Sequence, residues 1–108
     1  MPPDKQLEER VLLECSEYLA ENLPADDVAP KMLSSNLLTC KEHDEYRALK
    51  RSFRSTIDLS YYLLECLRKR HAGFLGTFCN ILWEIQPANY LGDHIQKAYN
   101  AAVSQGGE

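Results

Sequence analysis

The sequence predicts an all-α fold, a six-helix antiparallel bundle, on three observations. Apolar residues recur at three- and four-residue steps in six separate segments. Gly and Pro number 5 each among 108 residues and fall mostly between those segments. No stretch shows the strict apolar–polar alternation of a half-buried strand. The length suits one domain, large enough to stand on a single core without disulfides or metal. At 44% hydrophobic residues the chain is far from the composition of a disordered polymer. There is no internal repeat and no low-complexity segment.

The first helix is expected from about Asp4 to Asn22. Leu7, Val11, Cys15, Tyr18 and Leu19 form its apolar stripe, and Glu8, Glu9, Arg10, Glu14, Glu17 and Glu21 fill the other faces. It should end near Leu23, because Pro24 disfavours helical geometry in the residue before it. Asp26 or Asp27 can cap a short second helix with Val28, Ala29, Met32 and Leu33, Pro30 lying near its first turn. Thr39-Cys40-Lys41-Glu42 has the form of a capping box and opens a third helix to about Lys50. Its apolar content is thin, so it should lie over the edge of the core.

Ser55-Thr56-Ile57-Asp58 opens the fourth helix in a similar way, with Ile57, Tyr61, Leu64 and Leu67 as one stripe. Arg68, Lys69 and Arg70 crowd its last turn, where positive charge complements the helix dipole. The fifth helix, from about Ala72 to Ile85, is apolar nearly all round and should be the most buried. Gln86-Pro87 ends it. Asn89 can cap a sixth helix carrying Leu91, Ile95, Ala98, Tyr99 and Ala102. Val103 to Glu108 reads as a frayed tail; residues 1–103 form the domain and 104–108 a flexible tail or linker. Short connections favour antiparallel neighbours.

Charge separates along the chain. Met1 to Leu49 holds 5 basic and 11 acidic residues, Lys50 to Arg70 holds 6 and 2, and the remainder 1 and 3, for a net charge of −4. An acidic domain is a poor nucleic-acid binder, since attraction to phosphate dominates that affinity. Separate acidic and basic zones suit head-to-tail binding of like to like. The N-terminus has no apolar signal core, and no apolar run nears the ~18 residues of a membrane span. A cytoplasmic location is the resulting expectation. Cys15, Cys66 and Cys79 fall among apolar residues at helical spacing and read as buried, reduced thiols.

Several strings resemble the caspase recruitment domain (CARD) of the death-fold superfamily. Leu37-Leu38-Thr39 with Glu42 and Asp44 looks like the family's junction between helices two and three. Tyr62-Leu63-Leu64-Glu65-Cys66-Leu67 resembles its fourth helix. Phe74-Leu75-Gly76-Thr77-Phe78-Cys79-Asn80-Ile81-Leu82 resembles its fifth, most like those of initiator caspases and their adaptors. Tyr90-Leu91 with Ile95 matches the sixth. The resemblance runs from about Leu7 to Tyr99. It implies a six-helix death fold of Greek-key type and a non-enzymatic domain that binds another CARD-containing protein, a caspase, adaptor or receptor, or a further copy of itself. It implies no cofactor, small-molecule substrate, nucleic acid or membrane. Such domains assemble or regulate apoptotic and inflammatory caspase-activating complexes in innate immunity. Absence of an Arg-x-Asp-Leu-Leu element separates the chain from the death-effector branch.

The resemblance implies an acidic face and a basic face. Asp26, Asp27, Glu42, Asp44 and Glu45 supply the acidic one; each could equally be ordinary helix-start chemistry. Lys50, Arg51, Arg54, Arg68, Lys69 and Arg70 supply the basic one, although the family's basic run at the start of helix four is replaced here by Thr56, Ile57, Asp58 and Ser60. Of Tyr46, Phe53, Tyr61 and Tyr62 at least one should be exposed; Tyr61 and Tyr62 are expected half-buried with wet hydroxyls. Trp83 is expected in the core, an exposed contact patch being the alternative. Cys40 with His43 and Cys66 with His71 offer zinc-type donors but no standard spacing, so no metal site is expected. No nucleophile motif or phosphate loop accompanies His43, His71 or His94, so no catalysis is expected. A different class remains: a small helical regulator that binds DNA or a protein groove through one helix. Its basic residues would line one recognition helix, whereas here they flank one.

Overall fold

Local start signals open three of the helices of this chain, at Asp4, Thr39 and Ser55, and the connections are short. A computed structural model describes residues 4–52, 55–85 and 89–106. Among them are six helices and no strand: α1 (Lys5–Asn22), α2 (Ala25–Ser34), α3 (Cys40–Arg51), α4 (Thr56–Arg68), α5 (Phe74–Glu84) and α6 (Tyr90–Gly106). Phe53, Arg54 and Gln86-Pro87 lie outside the described residues. No described helix is long and apolar enough to cross a membrane.

Side chains close most of the helix starts. The Asp4 carboxylate accepts from the N–H groups of Gln6 and Leu7 at 3.0 and 3.3 Å. Thr39 and Glu42 complete the capping box of α3 reciprocally, each accepting the other's backbone N–H. Ser55 accepts from the Asp58 N–H at the start of α4. At the other end of α1, Leu23 turns extended before Pro24, as the proline requires.

α2 departs from the expected pattern. It begins at Ala25 and has no side-chain cap. The Pro24 carbonyl accepts from Asp27 and Val28, so the helix starts ahead of the two aspartates. Asp26 and Asp27 therefore sit in the first turn, where they complement the dipole rather than cap. Pro30 stands inside the helix, not at its first turn, and removes the N–H that would bond to the Asp26 carbonyl. After α2 the chain turns at Asn36, which takes φ 63, a left-handed conformation that asparagine tolerates better than most residues. Leu37 and Leu38 then drop into the core.

α5 starts at Phe74, two residues later than expected, and ends at Glu84. Six of its eleven residues are buried, as an all-round apolar helix requires. α1 shares the central place, packing on α4 and α6 and touching α5. One core joins all six helices, with Phe78, Leu63, Leu67, Leu82, Leu91 and Ile95 wholly enclosed. α6 runs to Gly106, past the expected start of the tail, with Ala102 still buried.

The start of α5 is completed from a distance. Gly73, at φ 100, occupies the cap position and offers no side chain. Instead Glu8 of α1, only 2% exposed, accepts from the N–H of Gly73 at 2.8 Å and of Leu75 at 3.0 Å. A buried carboxylate is thus held by the positive end of a helix. One turn earlier, Lys5 donates to the Arg70 carbonyl and lies over the Phe74 ring. The first turn of α1 therefore fastens the α4–α5 connection by both charges.

Glu8→Ala strips the acceptors from two N–H groups and should cost about 2–4 kcal/mol. Urea denaturation checks this; a loss below about 0.5 kcal/mol would mean that water replaces the carboxylate. Gly76 lies in the first turn of α5, where an added Cβ meets nothing within 4 Å. It borders a cleft of about 280 Å³ beside Glu8, Cys79, Ile95 and Tyr99. Gly76→Ala should therefore stabilise by about 0.5–1 kcal/mol, read as a raised urea midpoint.

Candidate protein-interaction surfaces

The helix starts bring the acidic residues together, and the structure then ties several of them to the basic set. Asp26, in the first turn of α2, accepts from the Tyr46 hydroxyl at 2.8 Å and pairs with Lys50 at 3.0 Å. Lys50 and then Tyr46 hold the Asp26 carboxyl below the ordinary aspartate range, and burial pushes the Tyr46 hydroxyl well above its own. The Asp26–Lys50 pair is more than half exposed on both sides, so it adds at most about 1 kcal/mol.

Glu42 turns inward. One oxygen accepts the Thr39 N–H, and the other pairs with Arg70 at 3.2 Å. Both side chains are largely buried, at 12% and 19% exposure. The two residues expected on opposite binding faces are thus bonded to each other inside the molecule. Glu45 lies exposed but accepts from the Tyr62 hydroxyl at 2.6 Å. Burial first, then that bond, raise the Tyr62 hydroxyl far above the usual tyrosine range. Arg68 pairs with Glu65 one turn before it on α4.

What remains outward is smaller than the expected sets. Asp27 and Asp44 on the acidic side, and Arg51 and Lys69 on the basic side, are exposed and enter no ion pair among the described residues. Arg54 lies outside the described residues.

The aromatic residues divide differently from expectation. Tyr46 is buried at 3% exposure. Tyr61 is exposed rather than half-buried, because it lies with Ile57 on the outer face of α4. Tyr62 is half-buried as expected, and its hydroxyl donates to the Glu45 carboxylate. Trp83 is 37% exposed, not in the core. Its neighbours Leu82 and Ile81 take the inward positions of α5, and the indole lies against Gly92 while donating to Asp93 at 2.9 Å. Gly92 is what admits the ring, since a Cβ there would stand 2.7 Å from it.

Cys15, Cys66 and Cys79 are buried and free, and Cys40 is exposed. Burial, with the charge of Glu42 second, pushes the Cys66 thiol up to about 11. Burial pushes Cys79 up to about 12 and raises Cys15 as well. No group of three metal-type donors gathers among the described residues. Sequence reasoning assigned Glu8 to solvent. Its spacing with Leu12, Cys15 and Leu19 places it in the apolar stripe, and that was the available signal.

Compared with known proteins, the chain matches no protein-family model, no curated protein and no solved structure.

Two outcomes follow from this geometry. Brief iodoacetamide treatment of the native protein should place one adduct, at Cys40, and unfolding should raise the count to four; mass spectrometry reads both. Asp26 should titrate below an ordinary aspartate in carboxyl NMR, and Lys50→Met should move it upward. By linkage its contribution to stability is complete above the unfolded value, about 3.9, and is lost as pH falls through the lower native value.

Proposed function

We propose that this chain is a caspase recruitment domain with a death fold of the Greek-key type, and that it works as a non-enzymatic, cytoplasmic interaction module. It binds another domain of the same kind, in a caspase, adaptor or receptor or in a second copy of itself. Its role is to assemble or restrain a caspase-activating complex in apoptotic or inflammatory signalling. One observation carries the reading. The Leu37-Leu38-Thr39 string lies between the second and third of six helices, with both leucines buried and Thr39 opening α3, and the Phe74–Leu82 string forms a buried fifth helix. Each string that resembles the family thus occupies the element that the resemblance assigns to it.

The binding faces in this proposal are narrower than the full charged sets. Asp26, Lys50, Glu42, Arg70 and Arg68 already satisfy one another or a neighbour. Asp27 and Asp44 are left as the acidic contacts, and Arg51 and Lys69 as the basic ones. Exposed charges of this kind set partner choice and association rate more than raw affinity.

Light scattering against concentration, at low and at high salt, tests the homotypic part. The expected outcome is growth into larger species that salt disperses. Asp27→Lys with Asp44→Lys should abolish that growth with at most a modest fall in melting temperature, the cost of a reversed charge in the first turn of α2. A monomer at every concentration and salt would overturn self-association. Charge reversal at Glu42 is a control of another kind. It strands Arg70 and should cost about 3 kcal/mol of stability, so any lost association there follows from unfolding.

A further inference from the structure

A cleft of about 410 Å³ lies between α2 and α3. His43, Arg47, Lys50 and Arg51 line it from α3, and Asp26 and Pro30 line it from α2. His43, Arg47 and Arg51 follow one another at four-residue steps, so they stand in a row on one face of α3, about 6 Å apart along its axis. Lys50 stands beside that row, one turn after Arg47.

The cations differ in what they already hold. Lys50 pairs with Asp26, whose carboxylate also accepts from the Tyr46 hydroxyl, so that ammonium is answered within the cleft wall. Arg47 and Arg51 are exposed and enter no ion pair among the described residues. Asp44, one turn before Arg47, forms no ion pair with it. The cleft therefore keeps two guanidiniums without a countercharge, in a chain whose net charge is −4. A guanidinium offers paired N–H donors to the oxygens of an anion, and two on one helix face can share a group that has several. Phosphate suits that arrangement better than carboxylate, since it brings more negative charge at neutral pH and three acceptor oxygens.

The surroundings limit the size of the ligand. Asp27 follows the cleft's Asp26, and Asp44 and Glu45 follow its His43; all three are exposed. A long polyanion crossing the cleft, or a negatively charged membrane laid on it, meets these acids and is repelled. A compact anion does not. We propose that this cleft binds a small, soluble, phosphate-bearing anion. Arg47 and Arg51 clamp its oxygens, His43 offers a ring N–H from one end of the row, and Lys50 stays on Asp26. Arg51 is also one of the basic contacts of the homotypic reading, so an anion seated here covers it; the site itself does not depend on that reading.

Inorganic pyrophosphate is titrated into the full chain at fixed ionic strength while backbone amide and arginine side-chain NMR shifts are followed. The expected result is a saturable change confined to α3 from His43 to Arg51 and to the facing part of α2, with a melting temperature that rises with ligand. Arg47→Gln with Arg51→Gln should weaken binding roughly tenfold or more, the loss of two charge-assisted partners. Arg51 lies in the last turn of α3, so this variant should melt slightly lower; Arg47→Gln alone leaves that turn intact and should still weaken binding. Lys69→Gln with Lys97→Gln removes two exposed charges elsewhere and should leave the affinity within about twofold, as screened distant charges do. Equal losses in the two double variants would reduce the effect to diffuse attraction and overturn the proposal. So would the absence of any saturable change, or retention on phosphatidylcholine–phosphatidylserine vesicles in place of pyrophosphate binding. Light scattering is a separate readout: an arginine variant that loses self-association, in a chain that takes no pyrophosphate, would assign the cleft to acids of a second copy and overturn the anion site while leaving the homotypic reading in place.

Discussion

The bond between Glu8 and the start of α5 is the constraint on which the rest of the molecule is arranged. A helix start needs acceptors for its first N–H groups, and Gly73 brings none of its own. The acceptor comes from a carboxylate 65 residues away in sequence. Because both oxygens are used, on Gly73 and Leu75, the bond fixes the rotation of α1 as well as the position of α5. That rotation turns Val11, Leu12, Cys15 and Leu19 inward and sends Glu21 and Tyr18 outward. The left-handed glycine is part of the same device, since the turn it makes brings its own N–H and that of Leu75 to one carboxylate.

Charge pairing is the second organising feature, and it works against the simplest picture of an interaction domain. A chain with an acidic half and a basic segment invites the idea of two opposed faces. Folding places parts of those zones side by side. Lys50 is drawn to Asp26 and Arg70 to Glu42, so much of the apparent asymmetry is consumed within the monomer. The Glu42–Arg70 pair is sheltered enough for its loss to be costly, whereas the Asp26–Lys50 pair is open to water and easily exchanged.

The sequence was most legible where a local rule settles the structure. Thr39 with Glu42 announced α3, Pro24 announced the end of α1, and apolar spacing marked six helices. It was least legible where a residue's neighbour lies far along the chain. Glu8 looked like one of many solvent-facing acids, because nothing local reveals the empty N–H groups at Gly73. Glu42 and Arg70 were separated by 28 residues and assigned to different faces. Trp83 looked like core because it is large and apolar, but Leu82 and Ile81 occupy the inward positions and Gly92 offers the indole a bed outside. The cap expected at Asp26 or Asp27 lies two or three residues earlier, at Pro24, since a proline carbonyl rather than a carboxylate began the helix.

α2 has a different character from its neighbours. It is ten residues long, lacks a side-chain cap and carries a proline in its interior. Helices of this length are marginal on backbone bonds alone. Its persistence therefore rests on Val28, Ala29 and Met32, all buried against the other helices, and on the Tyr46 and Lys50 links to Asp26. In the hierarchy of local opening, such an element exchanges its amide hydrogens ahead of α1 and α5. When it loosens, Lys50 is released into solvent together with Asp26. The least self-sufficient helix is thus also the one that governs how much charge the surface shows.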